Sequence, residues 1–226
     1  MKLVCFTYAG GNSSFFDCLK KKLSPEITVE AMEYAGHGKR HKIPFYTNFK
    51  ELAEDMYNLI EPVLEEVEPY AIMGYSMGRI SAIEVLKEIM RKKKKLPAHL
   101  FLAAHEPCTN SDFYSVDNIN EYVKQRTIQF GAVPEKLIHN DSFWRMYLPI
   151  YKADYSIISK YNFETLNLKS DVRTTVFYSE SDTPLRTMQN WNRYFDVIDF
   201  VKYPGNHFFI KDNLASIAED IKKRLV

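Results

Sequence analysis

Residues 70–78 read Tyr70-Ala71-Ile72-Met73-Gly74-Tyr75-Ser76-Met77-Gly78. A short run of buried-strand character enters Gly74-x-Ser76-x-Gly78, and from Met77 to about Lys94 the apolar residues recur at helical spacing. A serine between two glycines at a strand-to-helix junction is the context of a nucleophile elbow. The turn is so tight that bulky flanking side chains would collide with neighbouring backbone, hence the glycines. The serine is lifted off the strand end, where the N–H groups of the following helix point at it. A structural turn with an exposed serine is the plain alternative.

Outward from this point, strands and helices alternate. Strand-like runs occupy 2–9, 27–34, 98–104, 172–178 and 197–203. Between them lie a helical stretch with Phe15, Phe16 and Leu19, a helix announced by the capping-box pair Asn48 and Glu51, a helix opening at Pro184, and a last helix capped by Asp212. This order predicts a single α/β domain over residues 1–226, with a mostly parallel sheet and helices on both faces. Residues 110–168 break the alternation: they hold helical segments and no good strand, too long for an ordinary connection. They read as a helical insertion above one sheet edge, a mobile lid. Trp144, Tyr147 and Tyr151 are its candidates for the wall of an apolar substrate pocket, or else ordinary packing.

Composition narrows the classes. The chain has 226 residues, 46% hydrophobic and 26% charged, with 30 basic against 29 acidic side chains and a net charge of +1. That argues against disorder and against a nucleic-acid binder, which carries a basic excess. No apolar run is long enough to span a membrane. Three cysteines, Cys5, Cys18 and Cys108, follow no zinc or redox spacing and fit reduced thiols, which points to the cytoplasm. The start, MKLVCFTYAGG, reads as a first strand rather than a signal peptide. The cationic run at 91–95 suits a helix C-terminus and a solvated face; docking of an acidic partner is the minor alternative.

A serine hydroxyl needs a base at neutral pH. Of six histidines, His207 sits in Tyr203-Pro204-Gly205-Asn206-His207, between the last strand and the last helix. Loops after the strands of a parallel sheet share one edge, so Ser76 and His207 should share it. Asp182, in Ser179-Glu180-Ser181-Asp182-Thr183-Pro184, lies on the same edge and is the carboxylate to orient the imidazole. Glu180 is its rival, and a place at the start of the Pro184 helix is a further role for Asp182. The chain order Ser, Asp, His is that of α/β-hydrolases. An oxyanion needs two backbone donors: Met77 N–H follows the nucleophile, and the Tyr8-Ala9-Gly10-Gly11 loop can supply the other through Ala9. There the paired glycines would let backbone approach a substrate.

Together these segments resemble the type II thioesterases that accompany nonribosomal peptide and polyketide synthases, over nearly the full length. Phe6-Thr7-Tyr8-Ala9-Gly10-Gly11 resembles their PYAGG segment, Tyr34-Ala35-Gly36-His37-Gly38-Lys39-Arg40 their LPGR-type loop, and Leu148-Pro149-Ile150-Tyr151-Lys152-Ala153-Asp154-Tyr155 their LPxxRADF motif. Gly74-Tyr75-Ser76-Met77-Gly78 matches GHSMG with tyrosine for histidine, and Gly205-Asn206-His207-Phe208-Phe209 resembles GGHFF. Arg79 stands where a small residue is usual, Lys152 replaces an arginine, and SESDTP lacks the usual glycine. These departures bear on substrate preference and partner.

The resemblance implies an α/β-hydrolase fold and hydrolysis of thioesters on the phosphopantetheine arm of an acyl or peptidyl carrier protein, as an editing step. Ser76 would be nucleophile, His207 base and acid, Asp182 its orienting partner, and Ala9 and Met77 N–H the oxyanion donors. No metal or other cofactor is expected beyond the arm the substrate carries, and no nucleic-acid or membrane partner; a monomer is expected. A general esterase or acyl-CoA thioesterase uses the same residues, and a non-catalytic binding module on a hydrolase fold is the alternative of another class.

Overall fold

The computed structural model describes residues 1–108 and 118–226. In chain order the elements are β1 (Lys2–Phe6), α1 (Asp17–Leu23), β2 (Thr28–Ala31), α2 (Phe49–Leu64), β3 (Tyr70–Tyr75), α3 (Met77–Arg91), β4 (His99–Ala103), α4 (Ile119–Gln129), α5 (Asp141–Lys160), β5 (Thr174–Tyr178), α6 (Leu185–Met188), β6 (Ile198–Lys202) and α7 (Leu214–Leu225). The six strands form one sheet in the order β2-β1-β3-β4-β5-β6, and every neighbouring pair is parallel. Among the described residues no helix is long and apolar enough to cross a membrane.

Period-2 alternation along the central strands sorts side chains into two cores. Val4 and Phe6 of β1, Ile72 of β3, Leu100 and Leu102 of β4 and Val176 of β5 face α2 and α3. Leu3, Cys5, Ala71, Met73, Tyr75, Phe101, Ala103 and Phe177 face α1 and α7. Burial on both faces explains why β3 reads as a continuous apolar run, whereas edge strands β2 and β6 carry exposed Thr28 and Asp199. The strands are shorter at their ends than their apolar runs. β1 stops at Phe6, opposite Gly74, because the chain then turns out to build the loop over Ser76.

The Asn48 and Glu51 capping box forms: Asn48 Oδ1 accepts the Glu51 N–H at 2.9 Å, and the Glu51 carboxylate accepts the Thr47 N–H at 2.8 Å. The last helix departs from expectation. Its cap position is Asn213, not Asp212, and the Asn213 amide donates to the carbonyls of Pro204 and Phe209 instead of capping the helix.

The start expected for the helical insertion, residue 110, lies outside the described residues. α4 and α5 pack on each other around Val123, Val133, Trp144 and Tyr151, a third and smaller core. The insertion ends earlier than residue 168. Ile157, Phe163 and Leu168 already belong to the core beneath the sheet, so the C-terminal part of α5 is rooted in the main body.

Candidate active site

The link from β3 to α3 is strained as the elbow pattern requires. Ser76 has φ 54° and ψ −113°, a conformation sparsely populated by non-glycine residues. Its N–H donates to Ala103 O at 2.9 Å, holding the turn against β4. A Cβ on Gly74 would lie 2.3 Å from Gly78 O, and one on Gly78 would lie 2.1 Å from Phe6 O. Both glycines therefore answer to close backbone approach.

Ser76, His207 and Asp182 are hydrogen-bonded in series at the C-terminal edge of the sheet. His207 Nε2 lies 2.9 Å from Ser76 Oγ, and His207 Nδ1 lies 3.0 and 2.9 Å from Asp182 Oδ1 and Oδ2. The aspartate fixes the imidazole with Nδ1 protonated and leaves Nε2 free to accept the serine proton. His207 is buried, and Glu180, the rival carboxylate, is exposed. The helix expected at Pro184 is one short turn capped by Pro184 itself, so the Asp182 side chain is not engaged as a cap.

Sequence reasoning missed what holds this chain in place. Tyr75 OH donates to His207 O at 2.6 Å, and Ser179 Oγ donates to Gly205 O. The tyrosine beside the nucleophile thus ties the elbow to the histidine loop. Arg79 is also structural: buried at 2% exposure, it donates to Ser76 O at 2.9 Å and Glu106 O at 3.2 Å and lies against the Phe163 ring. Burial holds its guanidinium below the ordinary arginine value, and the neighbouring Cys108, Glu106 and Tyr161 offset only part of that.

A cavity opens over Ser76. Its floor carries Ala9, Met77, Arg79, His105 and His207, and its roof carries Tyr122, Arg126, Phe130, Tyr155 and Ile158. Among the described residues no acceptor takes the Ala9 or Met77 N–H. Trp144, Tyr147 and Tyr151 do not line this cavity, contrary to expectation. Trp144 is 5% exposed between α4 and α5 with its indole N–H on Ile138 O at 2.7 Å, and Tyr147 stacks on Phe143. Tyr151 lies on the loop after β1: a Cβ on Gly10 would sit 2.0 Å from its ring. That contact and a φ of +76° account for Gly10 without a substrate.

His105, Glu106 and Cys108 are the one group among the described residues whose donor atoms could ligate a metal, all within 4.8 Å of one another. The adjacent Arg79 guanidinium opposes a cation there, and burial together with that charge keeps His105 below the usual histidine range. The 91–95 run is engaged locally: Arg91 pairs with Glu88, Lys94 with Glu65, Lys92 lies over Tyr57, and Lys95 donates to Val67 O and Glu68 O. It sits at the opposite end of α3 from Ser76, about 22 Å of helix away.

A parallel sheet sandwiched by helices, with serine, histidine and aspartate meeting on its C-terminal edge, is the architecture of an α/β-hydrolase. The chain belongs to the thioesterase-domain family, whose model matches residues 1–225. It is 27% identical to the medium-chain S-acyl fatty acid synthase thioesterase of Rattus norvegicus, over 99% of this chain and 88% of that protein. It is 26% identical to the gramicidin S biosynthesis protein GrsT of Aneurinibacillus migulanus, over 100% of this chain and 89% of that protein. Among solved structures it is similar to RedJ, a thioesterase from the prodiginine pathway of Streptomyces coelicolor. The RedJ structure with a polyethylene glycol molecule in its active site is 25% identical, with a TM-score of 0.88, over 100% of this chain and 91% of that one. ClbQ, from the colibactin NRPS/PKS pathway, shares the fold at 21% identity and a TM-score of 0.87, over 99% of this chain and 95% of that one.

Proposed function

We propose that the protein is a serine thioesterase that hydrolyses acyl groups from the phosphopantetheine arm of a carrier protein and so clears stalled or wrong units from a nonribosomal peptide or polyketide synthase. The observation that carries this reading is the continuous hydrogen-bonded series Ser76–His207–Asp182 opening into a cavity, in a chain of the thioesterase family. Ser76 Oγ attacks the thioester carbonyl while His207 Nε2 takes its proton. The tetrahedral oxyanion is held by the Ala9 and Met77 N–H groups, and the Met77 donor lies at the positive end of α3. The C–S bond breaks, His207 protonates the leaving thiolate, and an acyl-Ser76 ester remains. Water, deprotonated by His207, then attacks the ester; collapse releases the acid and returns the proton to Ser76. Asp182 holds the imidazole tautomer and stabilises its cation throughout.

This chemistry uses no metal or redox cofactor; the arm belongs to the substrate. The three free cysteines suit a reducing compartment such as the cytoplasm. The identity to the rat medium-chain S-acyl fatty acid synthase thioesterase supports a second reading, hydrolysis of medium-chain S-acyl groups on a fatty acid synthase, which shares every step. Incubation with a fluorophosphonate, then peptide mass spectrometry, should find the label on Ser76. A protein that stays unlabelled, or is labelled elsewhere, overturns the serine mechanism and favours a binding module.

A further inference from the structure

Three segments meet at one buried point away from Ser76, His207 and Asp182. They are the Tyr8–Gly11 loop after β1, the Tyr34–Gly38 loop after β2, and the middle of α5. Asp154 of α5 and His37 are 3% and 2% exposed. One carboxylate oxygen, Asp154 Oδ2, accepts both the Gly10 N–H at 2.6 Å and a hydrogen bond from His37 Nε2 at 3.0 Å. The other ring nitrogen, Nδ1, donates to Ala35 O at 2.9 Å. With both nitrogens donating, His37 is an imidazolium. Burial opposes that cation, but the charge and hydrogen bond of Asp154, then the Ala35 carbonyl and the charge of Glu33, raise its pKa above the ordinary value.

The geometry of the β1 loop says what this pair is holding. Gly11 N–H donates to Tyr8 O at 3.0 Å, Gly10 has φ +76°, and Ala9 is not among the positive-φ residues. That is a type II turn with glycine in its obligatory third position. In such a turn the central peptide, Ala9–Gly10, points its N–H away from the turn, and flipping that peptide converts type II to type I. Asp154 captures that N–H. The preceding peptide is pinned by its Tyr8 carbonyl, and its N–H, on Ala9, points the opposite way.

We propose that Asp154 is a positioning residue for the oxyanion site: by taking the Gly10 N–H it holds the turn in the form that presents the Ala9 N–H beside Ser76, and it makes the seating of α5 a condition of an assembled site. The inference rests on the hydrolase reading above. A buried carboxylate–imidazolium pair adds little net stability over apolar packing, so its value here is positional. Because the oxyanion exists only in the transition state, losing its donor should lower kcat and leave KM nearly unchanged.

Asp154→Leu keeps the branched shape, with somewhat more bulk, and removes the acceptor. Asp154→Asn can keep, in place of Oδ2, a neutral amide oxygen that accepts both the Gly10 N–H and the His37 Nε2–H. Each is compared with the unaltered chain on an acyl-carrier protein thioester and on p-nitrophenyl acetate, with thermal unfolding as the check on folding. Loss of one oxyanion donor costs on the order of 100-fold, so the leucine variant should lose about that much kcat with KM within about threefold. The asparagine variant should lose only about three- to tenfold in kcat, since a neutral acceptor replaces a charged one. Full kcat in the folded leucine variant overturns the inference, as does a change confined to KM. If the leucine variant does not fold, the asparagine variant decides alone: unchanged kcat overturns the inference. An unaltered chain that cleaves the ester and not the thioester refutes the proposed substrate and still decides the role of Asp154; one that cleaves neither overturns both.

Discussion

Gly78→Ala places a methyl group where the elbow has no room. Its Cβ would meet Phe6 O at 2.1 Å, Phe6 C at 2.6 Å and Thr7 O at 2.8 Å, all of them backbone. Phe6 ends β1 opposite Gly74, so none of these atoms can swing aside as a flexible side chain does. Restoring ordinary contact at 3.4 Å requires α3 and β1 to part by about 1.3 Å. Overpacking of a core costs about 1–3 kcal/mol, and the backbone on every side argues for the upper end. The same shift moves Ser76 and Met77, which ride on the start of α3, away from the loop holding Ala9. A misplacement of about 1 Å at a reacting centre costs on the order of 100-fold. The control is Gly131→Ala: φ is +74° there, but the nearest atom, Asn206 Nδ2, is 3.7 Å away, so the left-handed strain alone applies, about 1–2 kcal/mol. Urea unfolding of both variants, with kcat/KM on an acyl thioester for Gly78→Ala, tests the reasoning. A Gly78→Ala protein that is more stable than Gly131→Ala and turns over at the normal rate would refute it.

Ser76→Ala and His207→Ala should each abolish turnover to a similar residual rate, and the double variant should be no worse; additive losses in steady-state kinetics would separate the two residues. Trp144→Ala should lower stability by roughly 3 kcal/mol while acyl-chain preference stays as it was, because the indole fills the α4–α5 core and not the cavity; chemical unfolding and a chain-length series on the same variant read both. His99 supplies a pH dependence. It is buried with Nε2 on Thr175 Oγ1 at 2.8 Å, and burial lowers its pKa from 6.5 to about 4. Between those values the unfolded chain binds the proton and the folded chain does not, so stability falls as pH drops from 6.5 towards 4, by roughly 3 kcal/mol in all. His99→Leu should flatten that part of a stability–pH curve; an unchanged slope would remove His99 as its source.

Features set by local chemistry were legible in the sequence. Gly74 to Gly78 announces a strand-to-helix turn within five residues, and parallel topology then brings Asp182 and His207 to the same edge. What stayed hidden lies in long-range pairings between motifs that look unrelated in one dimension. His37 and Asp154 are 117 positions apart, and Tyr75 and His207 O are 132 apart. A buried histidine in a glycine-rich loop carries no mark of its partner. The aromatics of α5 misled for a related reason. Helical periodicity locates an apolar face but does not say what covers it, and α4 claims the face that holds Trp144. Strand ends were overrun because apolar character continues past Phe6 into residues that pack in the loop rather than the sheet.

The central claim is that Ser76 hydrolyses acyl groups from a carrier-bound phosphopantetheine thioester. Its most direct test is the rate of acid release from an acyl-carrier protein, set beside the same acyl group on coenzyme A and as a simple oxygen ester, with Ser76→Ala as the control. The account predicts that kcat/KM is highest for the carrier-bound thioester and that the alanine variant releases nothing above background. Preference for the oxygen ester or coenzyme A, or release that survives in Ser76→Ala, would contradict it.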